Sequence, residues 1–209
     1  MLKLRYSALA AALVLTLSGS ASAAAVSDGS FGKAKELYDN GMYAGARVLF
    51  EQLSEDDLCA DYAVLCAVKL NTQDCGRLVE SVDGAHPKTV LNSEIHFEYG
   101  KLLYSEGNYS RSSEEFAKVS PKSLPRRVRG EYWFKKGFCH YNRDEFDAAM
   151  QCYLKALDHP SEYDIAAGFG IASIYYGRRD FKTAASWFER SSDDEQFGAL
   201  SRFYLVDCH

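Results

Sequence analysis

Residues 130–160 read GEYWFKKGFCHYNRDEFDAAMQCYLKALDHP, and the spacing of their apolar and small residues decides how the whole chain folds. Tyr132, Trp133, Lys136, Gly137 and His140 recur at three- and four-residue steps, as do Phe146, Ala149, Tyr153 and Ala156, which predicts two amphipathic helices joined by a tight turn. Gly137 has no side chain, so a second helix can approach at its level, and Ala149 and Ala156 allow the same from the other side. Asp144 stands where it would cap the second helix. Pro160 ends that helix, because proline disfavours helical geometry in the residue before it. Neither helix can bury its apolar face alone.

Weaker copies of the pattern lie on both sides. After Ser93 come Tyr99, Gly100 and Leu103, a Gly107-Asn108 turn, then Tyr109, Ser112, Phe116 and Val119, until Pro121 and Pro125 interrupt. From Ile165, Ala172 and Tyr175 precede a turn at Gly177 to Asp180, followed by Phe181, Ala184 and Phe188. A first unit from Ser27 to Leu53 has Ala34 and Leu37, a turn at Gly41, then Tyr43, Ala46 and Phe50. Between these, Asp56 to about Val82 reads as a degenerate pair without the turn aromatic, closed by Asp83-Gly84 and His86-Pro87 as turn signals. The turn aromatics Tyr109, Phe146 and Phe181 are 37 and 35 residues apart, and Tyr43 precedes Tyr109 by 66, twice 33. Such a period is the signature of a helical-repeat array.

Trp133, Gly137, Phe146, Ala149, Tyr153 and Ala156 fall where a tetratricopeptide repeat places its aromatic, small and alanine positions, and the chain resembles that family, in its exported bacterial form. The resemblance implies an all-α fold, an α-α superhelix of about five helix pairs with units near 27–55, 56–87, 93–126, 130–163 and 165–198. A final unpaired helix is expected over 199–209. It also implies a non-enzymatic protein-binding scaffold whose first helices line a concave groove.

The N-terminus carries an address. Lys3 and Arg5 form a short basic region, Ala8 to Leu17 is a largely apolar run, and Ala21-Ser22-Ala23 fits a small-x-small cleavage site, so 1–23 reads as a secretory signal peptide. The apolar run is about half of what a membrane-spanning helix needs. Cleavage would leave residues 24–209 exported, periplasmic or associated with an outer membrane. Those residues keep 22 Lys plus Arg against 29 Asp plus Glu, a net charge of −7, with no concentrated basic face for nucleic acid. The six cysteines make no zinc spacing; small core residues are the default reading, and a Cys66–Cys75 bridge across a helix turn is the alternative.

No phosphate-cradling loop, HExxH or GxSxG occurs, so no catalytic residue, metal or cofactor is expected. Cys139-His140 resembles a nucleophile beside a base, but Cys208-His209 repeats it in the sixth unit, which makes it a feature of repeat register. His86, His96 and His159 read as surface histidines. The informative pattern is aromatic: Phe31, Phe97, Phe134, Phe169 and Phe203 share one repeat position, and Tyr38, Tyr104, Tyr141 and Tyr176 another, seven residues later and nearly two turns on. Between them lies a variable position, Lys35, Lys101, Phe138, Ser173 and Asp207.

By the resemblance, both aromatic rungs face the groove, and Phe97, Tyr104, Phe134, Phe138, Tyr141, Phe169 and Tyr176 are the candidate ligand-binding residues. Two readings of the rungs stand side by side: packing between neighbouring helices, or a frame for a bound peptide. Glycan binding, and membership of a longer protein, are the alternatives in function. Phe203, Leu205 and Val206 on the last helix suggest an end-to-end contact with a partner.

Overall fold

The computed structural model describes residues 19–53, 56–85 and 87–208, with side chains from residue 29 onward. All regular structure among them is helical. The helices are α1 (Gly19–Asp39), α2 (Tyr43–Gln52), α3 (Asp57–Lys69), α4 (Cys75–Ala85), α5 (Asn92–Ser105), α6 (Tyr109–Lys118), α7 (Arg129–Tyr141), α8 (Phe146–Leu157), α9 (Asp164–Gly177), α10 (Phe181–Phe188) and α11 (Gly198–Cys208). Short 3-10 turns precede α7 and follow α10. The helices pack as consecutive pairs, α1 with α2 through α9 with α10, and each pair rests on the next. None is long and apolar enough to cross a membrane. Residues 1–18, the apolar run of the expected signal included, lie outside the described residues; the expected cleavage site falls early in α1.

One turn closes every first helix. Gly41, Asn71, Gly107, Asp144 and Arg179 adopt left-handed φ values of 75, 50, 75, 59 and 62°. Their amides reach back to the carbonyls of Tyr38, Val68, Tyr104, Tyr141 and Tyr176, and the following amides reach Leu37, Ala67, Leu103, His140 and Tyr175. This is the Schellman motif, which satisfies the last carbonyls of the first helix while reversing the chain. It corrects the expectation for Asp144, which is the left-handed turn residue and not a cap; Glu145 stands at the start of α8 without a side-chain cap. Asp56, Asn108 and Asp180 do cap, accepting from Leu58, Arg111 and Thr183 amides. The expected turn at Asp83-Gly84 lies inside α4.

Those turn residues set the repeat register, at spacings of 30, 36, 37 and 35. Seven residues before each stands a small residue in four of the five pairs, Ala34, Gly100, Gly137 and Ala172, and nine after it a buried ring, Phe50, Phe116, Tyr153 and Phe188. The ring lies against the small residue: a Cβ on Gly100 would stand 2.7 Å from Phe116, and one on Gly137 2.9 Å from Tyr153. The second pair departs from this scheme, with Val64 at the small position and Glu80 where the ring would be. The core is accordingly strung out as clusters between successive helices. All six cysteines are free thiols, five of them buried, which removes the Cys66–Cys75 bridge. Burial pushes the Cys66 thiol up to about 11 and raises the others.

Candidate functional site

Four of the five Phe residues of the first rung pack on the second-helix ring of their own pair: Phe31 on Phe50, Phe97 on Phe116, Phe134 on Tyr153 and Phe169 on Phe188, at centroid distances of 5.9, 6.3, 6.0 and 5.4 Å. For two of them a ring from further along the chain covers the other side, Tyr132 of α7 against Phe97 and Tyr163, at the start of α9, stacked on Phe134 at 5.1 Å. Phe97 is consequently 2% exposed and Phe134 9%. Phe97 has no free face for a ligand, a correction to its placement in the groove: the neighbouring α7 closes over it. The tyrosine rung is tied as regularly. Tyr38, Tyr104, Tyr141 and Tyr176 meet their own turn aromatics Tyr43, Tyr109, Phe146 and Phe181 edge-on at 5.5, 5.6, 5.5 and 5.5 Å. These offset and edge-on contacts are the arrangement that ring quadrupoles favour. They keep the tyrosines half-buried.

What remains open is a hollow of 180 Å³ between α7 and α9, lined by Phe134, Phe138, Tyr141, Tyr153, Ala166, Phe169, Gly170, Ser173 and Phe197. The structure thus brings Phe134, Phe138, Tyr141 and Phe169 together, and leaves Tyr104 and Tyr176 outside the hollow. Phe138 at the variable position bridges outward to Tyr104 and Tyr109, at 5.4 and 5.3 Å. Phe197, which no repeat position signals, closes the far wall by tilting against Phe169 at 5.0 Å. Its loop is held by Asp194, which accepts the Gln196 and Phe197 amides.

Toward the N-terminal side the first helices α3, α5 and α7 carry a ladder of charges. Lys69 of α3 pairs with Glu98 of α5 at 2.6 Å, Glu98 with Lys101 at 3.2 Å, Lys101 with Glu131 of α7 at 3.6 Å, and Glu131 with Lys135 at 3.6 Å. The Lys135 ammonium lies 4.5 Å from the Tyr104 ring centre and 5.3 Å from that of Tyr163. Burial, then Glu131 and Glu162, pushes the Tyr163 phenol up to about 12, so it stays a neutral donor at physiological pH. The surface can therefore seat one bulky apolar group in the hollow and meet polar groups along the ladder.

On α11, Phe203 and Val206 are 67% and 81% exposed, whereas Leu205 is half-buried against the α9–α10 cluster. His96 departs from its reading as a surface histidine: it is fully buried, Nδ1 lying 2.7 Å from Glu115 and Nε2 2.9 Å from Asp83. Among the described residues no group of His, Cys, Asp and Glu forms a metal-binding cluster.

Comparison with solved structures supports the all-α, paired-helix fold. The chain is similar to MamA from AMB-1, with a TM-score of 0.64 and 20% identity over 81% of this chain and 92% of that one. A MamA from MSR-1 gives a TM-score of 0.53 at 22% identity, covering 78% and 95%. PilF from Pseudomonas aeruginosa gives 0.59 at 13%, covering 87% and 82%. No protein-family model matches the chain, and no curated protein does. The array is a tetratricopeptide-like superhelix by its structure.

Proposed function

We propose that this protein is a non-enzymatic scaffold that binds a segment of a protein partner on the face formed by its first helices. The carrying observation is the aromatic hollow between α7 and α9, which lies open while Phe97 is closed over and the tyrosine rung is tied to its turn aromatics. An extended segment places every second side chain on one face, so one apolar anchor would enter the hollow and polar neighbours would follow the ladder from Lys135 to Lys69. Lys3, Arg5, the apolar run and Ala21-Ser22-Ala23 support export to the cell envelope as the setting, with the mature chain starting at Ala24.

The test compares proteins captured from envelope extract by the mature chain and by its Ser173→Trp variant, whose added ring fills the hollow. A partner held by the first and lost by the second, with circular dichroism unchanged, supports the reading. Equal capture by both rejects it.

A further inference from the structure

The hollow between α7 and α9 opens where the array lacks a tyrosine that it has elsewhere. Of the four buried second-helix rings, three are covered by a tyrosine from the next first helix: Phe50 by Tyr62 at 5.0 Å, Phe116 by Tyr132 at 5.8 Å and Phe188 by Tyr204 at 5.1 Å. Tyr62 and Tyr204 share one repeat register, directly after the place of the rung phenylalanine, and both lie nearly parallel to the ring they cover, at 12 and 13°. The fourth ring is Tyr153. Among the described residues it meets the ring of Phe134 in its own pair and none from α9, which carries Gly170 in that same register.

Tyr153 also differs from the other three rings in carrying a hydroxyl. Its ring runs between the two first helices, Cδ1 and Cε1 against Gly137 of α7 and Cε2 and Cζ against Gly170 of α9, and its end lines the hollow from beneath. The residue is 1% exposed, yet no described residue shares a hydrogen bond with the hydroxyl. Burial raises the phenol, so it keeps its proton and can donate it. A hydroxyl this deep is costly to leave unpaired, and a group in the hollow that accepts its proton removes that cost. The walls formed by Phe134, Phe138, Phe169 and Phe197 are apolar. A dry cavity of about 150 Å³ takes up one benzene ring, so the 180 Å³ hollow admits one ring with a small polar substituent.

We infer that the anchor entering the hollow is a tyrosine of the partner segment, its ring covering Tyr153 as Tyr62, Tyr132 and Tyr204 cover the other three rings, and its hydroxyl hydrogen-bonded to that of Tyr153. The inference rests on the scaffold reading above and names the side chain that the reading leaves open. Two phenols can pair because each both donates and accepts. A phenylalanine would fill the same space but leave the Tyr153 hydroxyl without a partner, and the site discriminates against it for that reason.

The experiment titrates the full chain with N-acetyl-tyrosine amide and, separately, N-acetyl-phenylalanine amide, following backbone amide shifts. Both are expected to move the amides of Phe138, Tyr141, Gly170 and Ser173, with the tyrosine probe bound about fivefold more tightly, the worth of one net hydrogen bond. Tyr153→Phe, which sets there the ring of the other three pairs, is expected to erase that preference while the phenylalanine probe still binds. Ser173→Trp removes the binding of both. In the unaltered protein, isotopically labelled at tyrosine Cζ, the tyrosine probe moves the Tyr153 signal and the phenylalanine probe does not, a readout that holds if the phenylalanine variant fails to fold. Equal binding of the two probes, or a preference that persists in Tyr153→Phe, overturns the inference and leaves the scaffold reading standing. Binding of neither probe at these residues overturns both.

Discussion

Tyr153 is held from two sides by glycines on different helices. A Cβ on Gly137 of α7 would lie 2.9 Å from its ring, and one on Gly170 of α9 2.6 Å from it, both below ordinary contact. The ring also forms part of the wall of the aromatic hollow, so its position sets the shape of that site. Replacing a helical glycine by alanine normally gains up to about 1 kcal/mol, and overpacking a closed core costs about 1–3 kcal/mol. Gly170→Ala is therefore expected to lower the unfolding free energy, whereas Gly32→Ala in α1, with open space around it, raises it. Urea unfolding of both variants checks the signs. Stabilisation by Gly170→Ala would mean that the Tyr153 ring is free to move.

At the scale of the element, α4 is the exception in the array. It has no ring against Val64, and polar contacts hold its C-terminal half: Asp83 accepts from Lys118 at 2.8 Å and lies on His96, whose other nitrogen faces Glu115. Burial works to raise the Asp83 carboxyl, but Lys118 and His96 outweigh it and keep it below its ordinary value. Leaving a buried acceptor without its hydrogen bond costs about 1–3 kcal/mol. His96→Leu is expected to destabilise the protein by that amount, because Glu115 Oε2 loses its partner while Lys118 still holds Oε1 at 3.3 Å. The double variant His96→Leu with Glu115→Leu should recover part of the loss. Chemical denaturation of the three proteins decides the point; a small effect of His96→Leu alone would show that α4 docks through Cys75, Val79 and Val82 by themselves.

Across the whole molecule, stability is the sum of such pairs and of the contacts between neighbours. Alkaline pH probes many of them together. Burial raises the phenols of Tyr104, Tyr132 and Tyr153, pushes Tyr163 up to about 12 and takes the Cys66 thiol to about 11. In the unfolded chain tyrosine titrates near 10. The folded state thus holds these protons more tightly, so the tyrosines' contribution is complete below about pH 10, that of Cys66 below about pH 8.5, and each is lost as pH rises through the folded values. Helical circular dichroism and tyrosinate absorbance should change together above pH 10. Tyrosinate formation near 10 with the helices intact would show that the rings are accessible to hydroxide.

Much of this was legible in the residues alone. Helix pairs follow from apolar spacing, and the period from Tyr43, Tyr109, Phe146 and Phe181, because both depend on contacts between residues near in sequence. The aromatic rungs were legible as positions; what they touch was not. Phe97 is closed over by Tyr132 of the next unit, and Phe134 by Tyr163 at the start of α9, and only the tertiary structure says which side of a ring a neighbouring helix covers. Phe197 reaches the hollow from a loop with no repeat position. His96 looked like a surface residue since its partners lie 13 and 19 residues away on other helices. Local periodicity specified the array; the burial, charge environment and openness of each site depended on contacts between helices far apart in the chain.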